Sequence, residues 1–240
     1  MTDPRIPAAA ILAAALVAAA AISANAIAGL KRAGDEITVT GSATRPVRSD
    51  LAVWRLDITA QAPTQVAATR QAANGAEQVR RWLASHGFAD SLLTVRTPFT
   101  MIQNEWLNGM ETGRILGYRV NQQIVVRTPD VDRIADLAGD LTALLDQGVA
   151  VVGQAPEYLY AALPTIRGPL LADATRDARA RAEEIVTAAG AKVGRIKAVR
   201  VGVFQVRQRQ STETSDYGIY DTSERDKDVT GVLRVVFAIE

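Results

Sequence analysis

Charged side chains are absent from Ile6 to Leu30 (IPAAAILAAALVAAAAISANAIAGL), whereas the rest of the chain alternates short apolar patterns with polar punctuation. Residues 37–48 and 51–60 alternate apolar and polar side chains on either side of Ser49-Asp50, and this predicts a half-buried hairpin. Because strand residues two apart share a side, Ala52, Trp54, Leu56 and Ile58 form the expected core face, and Arg55 and Asp57 the expected solvent face. Thr64 is the candidate cap of a helix to Ser85, in which Ala68, Ala72, Ala76, Val79 and Leu83 recur at helical spacing before His86-Gly87 stops it. A second strand pair is expected over 92–105 and 114–128, joined through Asn108–Gly113.

Asp130 begins the next predicted helix, whose stripe of Val131, Ile134, Leu137, Ala138, Leu141, Leu144 and Leu145 runs to Gln147-Gly148. Residues 149–160 return as a strand. The longest helix is predicted to start after Pro164 or Pro169 and to reach Ala189, with Leu171, Ala174, Ala178, Ala182 and Ile185 inward. Asp177 with Arg181 and Arg179 with Glu183 are spaced to pair along its outer side, each contributing about 0.3–0.5 kcal/mol. Strands over 196–205 and 229–239 follow, separated by a polar connection at about 207–228 that is expected to be mobile. The pattern predicts an α+β fold: a mixed, mainly antiparallel sheet from strand pairs, covered by helices, with an N-terminal transmembrane helix. The organisation expected is a signal anchor over 1–32 and one α+β domain over 33–240.

A helix of 25 residues reaches about 37 Å, against a hydrocarbon core of about 30 Å. A secretory signal is the competing reading, since Arg5, the alanine-rich core and Ala24-Asn25-Ala26 fit one, but its apolar core is normally about 7–15 residues. The length favours an uncleaved anchor. Lys31 and Arg32 outnumber Arg5 and argue for a cytoplasmic body by the basic-residue rule, a conflict the run itself does not resolve.

Apart from Arg5 and Asp3 in the anchor segment, 26 basic and 25 acidic residues remain of the chain's 27 and 26, so no net field calls for nucleic acid. Cysteine is absent, which removes disulfides, thiol nucleophiles and thiolate metal sites. His86 is the single histidine and is expected to close a helix end rather than to act in catalysis. No glycine-rich phosphate loop of either familiar type occurs. The carboxylate pairs Asp173/Asp177, Glu183/Glu184 and Asp226/Asp228 read as solvated faces, with a cation site or acid–base chemistry as the lesser readings. Trp54, Trp82 and Trp106 are expected in or at the edge of a core, and Tyr217 and Tyr220, in the polar connection, are candidate anchors for a partner or neighbouring subunit. No catalytic, cofactor-binding or metal residue is assigned.

ITVTG at 37–41, Asp50-Leu51-Ala52, GYRV at 117–120 and above all ATRDARARAEEIVTAAGAKVGRI at 174–196 resemble the SIMPL-domain family of bacterial cell-envelope proteins over about 36–240. The anchor, DLAVWRLDITAQ and EYLYAAL resemble a membrane-anchored subgroup. The resemblance implies a single-pass inner-membrane protein with its C-terminal domain in the periplasm, or a soluble periplasmic protein if the signal is cleaved. It also implies links to oxidative-stress tolerance and, in some members, ring-shaped oligomers, with no catalytic residues to carry over. The function expected is non-enzymatic, through self-association (a homo-oligomer) or binding of an envelope partner. A hydrolase or small-molecule-binding enzyme with a dispersed Asp/Glu/Arg/Tyr site is the alternative.

Overall fold

The computed structural model describes Asp35–Glu240 except Thr214, together with Ala19, Ala20 and Ser23. The apolar run expected to span the membrane therefore lies almost wholly outside the described residues. Among the described residues, no helix is long and apolar enough to cross a membrane. In chain order the elements are β1 (Glu36–Arg48), β2 (Leu51–Ala62), α1 (Gln65–Ser85), β3 (Leu93–Val95), β4 (Phe99–Leu107), β5 (Met110–Thr128), α2 (Val131–Ala138), α3 (Thr142–Asp146), β6 (Val151–Gly153), β7 (Glu157–Leu159), α4 (Leu163–Ala188), β8 (Val193–Val201), β9 (Gln205–Gln208) and β10 (Asp226–Ile239). A 3₁₀ turn, Asp90–Leu92, precedes β3.

The fold is α+β with mainly antiparallel pairing, distributed over two sheets and two compact units. One unit comprises Arg45–Ile166 and Gln205–Val229. Its six-stranded sheet runs β3-β5-β2-β6, with β4 also on β5 and β7 also on β2. Trp54, Leu56 and Ile58 of β2 and Ile124 and Val126 of β5 project to one side, where Ala76, Val79 and Leu83 of α1, Ile134 of α2 and Leu144 of α3 close over them. This face and the α1 stripe are those expected from spacing. Thr64 caps α1 by accepting from the Ala67 amide, and Gly87 ends the segment at φ +84°. The opposite side of β2 and β5 is a ladder of polar pairs: Gln123 and Gln154 donate to Asp57, Thr59 to Asn121, and Arg55 pairs with Glu157. Asp57 thus lies on the expected polar face, although Val53 and Val125 on the same side are buried.

The other unit contains, among the described residues, Asp35–Thr44, Arg167–Phe204 and Thr230–Glu240. Here Ala174, Ala178 and Ala182 of α4 pack on Val39 of β1 and on Leu233, Val235 and Phe237 of β10. Small residues on the helix allow a close approach to the sheet, and Gly41 takes it furthest. A Cβ there would meet the Ala174 carbonyl oxygen, and would lie 2.6 Å from Ala178 Cβ and 2.7 Å from its amide nitrogen. Asp177 accepts from the Ser42 amide at 2.9 Å and pairs with Arg181 at 3.0 Å. The Ser42 hydrogen bond, aided by Arg181, holds its carboxyl below the ordinary 3.8 against the opposing effect of burial.

Several boundaries differ from the sequence expectation. β1 and β2 do not form a hairpin: β1 pairs with β10 in the four-stranded sheet, while β2 joins the six-stranded one. Ser49-Asp50 changes sheets instead of reversing within one, because its amides are taken by Arg225 and Leu159 carbonyls and the Asp50 carboxylate receives the Ala161 and Ala162 amides before α4. The helix expected to run from Asp130 to Gln147 breaks at Gly139-Asp140, where Asp140 accepts from the Thr142 amide and starts α3. The strand expected over 149–160 is two short strands, β6 and β7, on either side of Ala155-Pro156. α4 begins before both candidate prolines and carries Pro169 within it.

Candidate interaction surface

β5 is 19 residues long, but its pairing with β2 ends at Ala62↔Tyr118. Residues 110–117 continue past the sheet with β4 as their single partner, through Gln103↔Gly117, Asn104↔Ile115, Trp106↔Glu111 and Leu107↔Met110. The result is a two-stranded arm. Its tip is Asn108-Gly109, both at positive φ (50° and 79°), the backbone that a two-residue hairpin needs and that asparagine and glycine tolerate. The turn is thus tighter than the six-residue connection expected from the sequence. Gly113, at φ 76°, sits where the register slips between Asn104 and Trp106.

The arm and its base expose Phe99, Met101, Ile102, Trp106, Leu107, Met110, Ile115 and Leu116, with Trp106 at 65% and Met110 at 71% accessibility. Isolated exposed apolar residues are ordinary, whereas this hairpin carries a series of them distributed over both of its faces, which makes it the candidate interaction surface. The arm's charges are spent internally: Glu105 pairs with Arg114 at 3.2 Å, and Glu111 accepts from Asn104. What remains for a partner is apolar side chain and open strand edge.

Trp106, expected in a core, belongs to this arm, because its strand has left the sheet that would cover it. Trp54 and Trp82 are buried with ring centroids 6.4 Å apart, and the Trp54 indole donates to the Gln154 carbonyl. His86 closes α1 with Nδ1 2.8 Å from the Trp82 carbonyl and its ring against the Trp82 indole. Tyr220 is 44% exposed, with its hydroxyl receiving the Tyr160 amide and donating to the Tyr160 carbonyl. Tyr217 is 97% exposed. The acidic pairs are separated by their own partners. Asp173 pairs with Arg176, Glu183 with Arg179 at 2.9 Å, and Asp226 with Arg48 at 3.5 Å, while Asp228 accepts from the Gln210 amide. Among the described residues, no group of three or more His, Cys, Asp or Glu side chains is placed to hold a metal ion.

The polar connection is more tightly fastened than its composition suggests. Lys227, expected in the loop, lies in β10 with its side chain fully buried, donating to the Asp221 carbonyl at 2.7 Å and to Asp221 Oδ1 at 3.3 Å. Gln205 donates to the Ser215 carbonyl and Arg207 to the Glu213 carbonyl. The sequence carries a signal for the arm, an Asn-Gly pair between residues rich in large apolar side chains, but the pattern reads it as part of a longer connection, and Trp106 as core or core edge.

Comparison with protein families finds one match, the SIMPL family, described as a protein of unknown function (DUF541), over residues 37–232. The chain belongs to the SIMPL family. That match covers both sheets and the arm, from β1 into β10, and so agrees with the resemblance carried by the 37–41 and 174–196 segments. A comparison with curated proteins found no match for this SIMPL chain.

Proposed function

We propose that this SIMPL protein is a non-enzymatic module of the bacterial envelope that acts by self-association, the β4–β5 arm of one copy docking on another. The observation that carries this reading is the arm itself: eight exposed large apolar side chains on and beside a hairpin whose strand edges are open. The chain supplies a fitting surface in β8, an end strand of the four-stranded sheet that exposes Ile196, Val199 and Val201. Edge-to-edge pairing between arm and β8 would satisfy backbone groups on both and cover apolar side chains on both. Such a contact joins two different surfaces, so repetition gives rings or open chains.

The length of the apolar run Ile6–Leu30 supports a single-pass membrane anchor, and the placement of the body in the periplasm and a role in oxidative-stress tolerance follow from the resemblance to a membrane-anchored subgroup. The dispersed-site enzyme is the weaker reading. The acids with lowered pKa values, Asp140, Asp177 and Asp221, each serve a different local structural hydrogen bond.

Because the chain has no cysteine, one introduced thiol reports on one place. Met110→Cys at the arm tip is expected to give a ladder of products in membranes with a short thiol-to-amine cross-linker, each thiol joining an amine of the next copy such as Lys197 on β8, and Val66→Cys, exposed on α1, is expected to give none. Equal cross-linking at the two positions, or none at either, would count against the arm.

A further inference from the structure

A cleft of about 430 Å³ lies between α1, β2 and the turn after α3, lined by Thr59, Gln61, Gln71, Asn74, Gln78 and Gln147 above a floor that includes Ile58 and Val149. Its size is that of a small-ligand site. Not one ionisable side chain lines it, although more than a fifth of the chain is charged. Gln71, Asn74 and Gln78 stand at i, i+3 and i+7 on α1 and so share a face, with Gln147 contributed by the turn that follows α3. These four carboxamides make no hydrogen bond with any described residue, and so offer four carbonyl acceptors and four amino groups. Gln61 differs, since with its amide turned to match its neighbour its carbonyl oxygen would accept from both Arg119 Nε and Nη2 at 2.8 Å.

Two glycines border the cleft. Gly75 brings α1 close to β2, where a Cβ would sit 3.0 Å from Ile58 Cγ2, and Gly148 turns at φ +79° with nothing within 4 Å of where its Cβ would be. A second hollow, lined by Gln78, Arg81, Trp82, Ser85 and Gln147, shares Gln78 and Gln147 with the first and extends it along the helix.

We infer that this carboxamide-lined cleft binds a neutral, hydroxyl-rich ligand of the saccharide class. Each primary amide presents a donor and an acceptor side by side, a match for neighbouring hydroxyls that both donate and accept. A charged ligand would find no counter-ion in the first hollow and would pay for its desolvation. The inference goes beyond self-association and is independent of it, because none of these residues lies on the arm.

The test is saturation-transfer NMR on the full chain in a detergent without a sugar headgroup, using N,N′-diacetylchitobiose as the neutral disaccharide, with N-acetyl-dialanine amide and inorganic phosphate as comparison probes. A co-sedimentation arm with insoluble cell-wall glycan distinguishes a polymer ligand from a free sugar. Saturable transfer to the disaccharide is expected, with affinity weakened about tenfold or more by Asn74→Leu/Gln78→Leu at an unchanged melting temperature. Ala150→Tyr, which fills the cleft from its rim, is expected to abolish binding without touching the amides. Absence of transfer to the disaccharide, a preference for the peptide amide or phosphate, or transfer that survives both variants would overturn the inference.

Discussion

Replacing Gly41 by alanine is expected to lower the stability of the body by about 3 kcal/mol or more, the upper part of the range for overpacking a close contact. The added carbon would press on the Ala174 carbonyl and on the Ala178 backbone and Cβ, and backbone atoms in the middle of α4 cannot step aside as a flexible side chain would. The helix would have to lift from β1, loosening the Ala174–Ala178–Ala182 seam and the Asp177 hydrogen bond to Ser42 together. For a body of this size the corresponding fall in melting temperature is about 6–12 °C. Thermal unfolding followed by circular dichroism checks it, with Gly139→Ala as the comparison, since nothing lies within 4 Å of a Cβ at Gly139. Equal melting temperatures for the two variants would contradict the close-approach argument.

Lys227→Met is expected to cost about 3–5 kcal/mol, because it leaves the Asp221 carboxylate facing buried surface without its cation. The pH dependence carries the sign. Burial by itself would raise the Asp221 carboxyl, but the Lys227 ammonium, together with the hydrogen bonds from Ser223, outweighs it and holds the group below 3.8. The contribution of Asp221 is therefore complete above its unfolded value and is lost as pH falls through its lower folded value. Burial lowers the Lys227 ammonium from 10.5, so the folded state releases that proton more readily than the unfolded chain, and the contribution of Lys227 rises with pH through its folded value. The stability difference between wild type and Lys227→Met should narrow as pH falls through the folded value of Asp221. Denaturant unfolding at a series of pH values reads this difference, and a gap independent of pH would contradict the ion pair.

Local chemistry was legible in the sequence and partnership was not. The Thr64 cap, the α1 stripe, the Asp177–Arg181 and Arg179–Glu183 pairs and the core face of β2 all depend on residues within a turn or two of one another, and all stand where spacing puts them. Which strand lies beside which is decided at a distance. Ser49-Asp50 looks like a hairpin turn until the carbonyls of Arg225 and Leu159 claim its amides. Leu137 and Leu141 continue a helical stripe across Gly139-Asp140, yet the Asp140 side chain offers the backbone a competing hydrogen bond and the helix restarts.

The same limit hid the candidate surface. Trp106 and its apolar neighbours have core composition, and their exposure follows from β5 outrunning β2, a difference in strand length that no local pattern records. Lys227 shows the converse, a charge in a polar stretch whose burial depends on Asp221 returning to meet it. Gln71, Asn74 and Gln78 were visible at helical spacing, but became a shared lining once Gln147 and β2 stood opposite.

The central claim is that the arm makes this protein a self-assembling one. Native mass spectrometry of the full-length, detergent-extracted chain, beside Trp106→Ser/Leu107→Ser/Met110→Ser, tests it most directly. A multiple of the 25.6 kDa chain is expected for the wild type and a single chain for the triple variant. A wild-type protein at 25.6 kDa, or a variant that keeps the wild-type multiple, would contradict it.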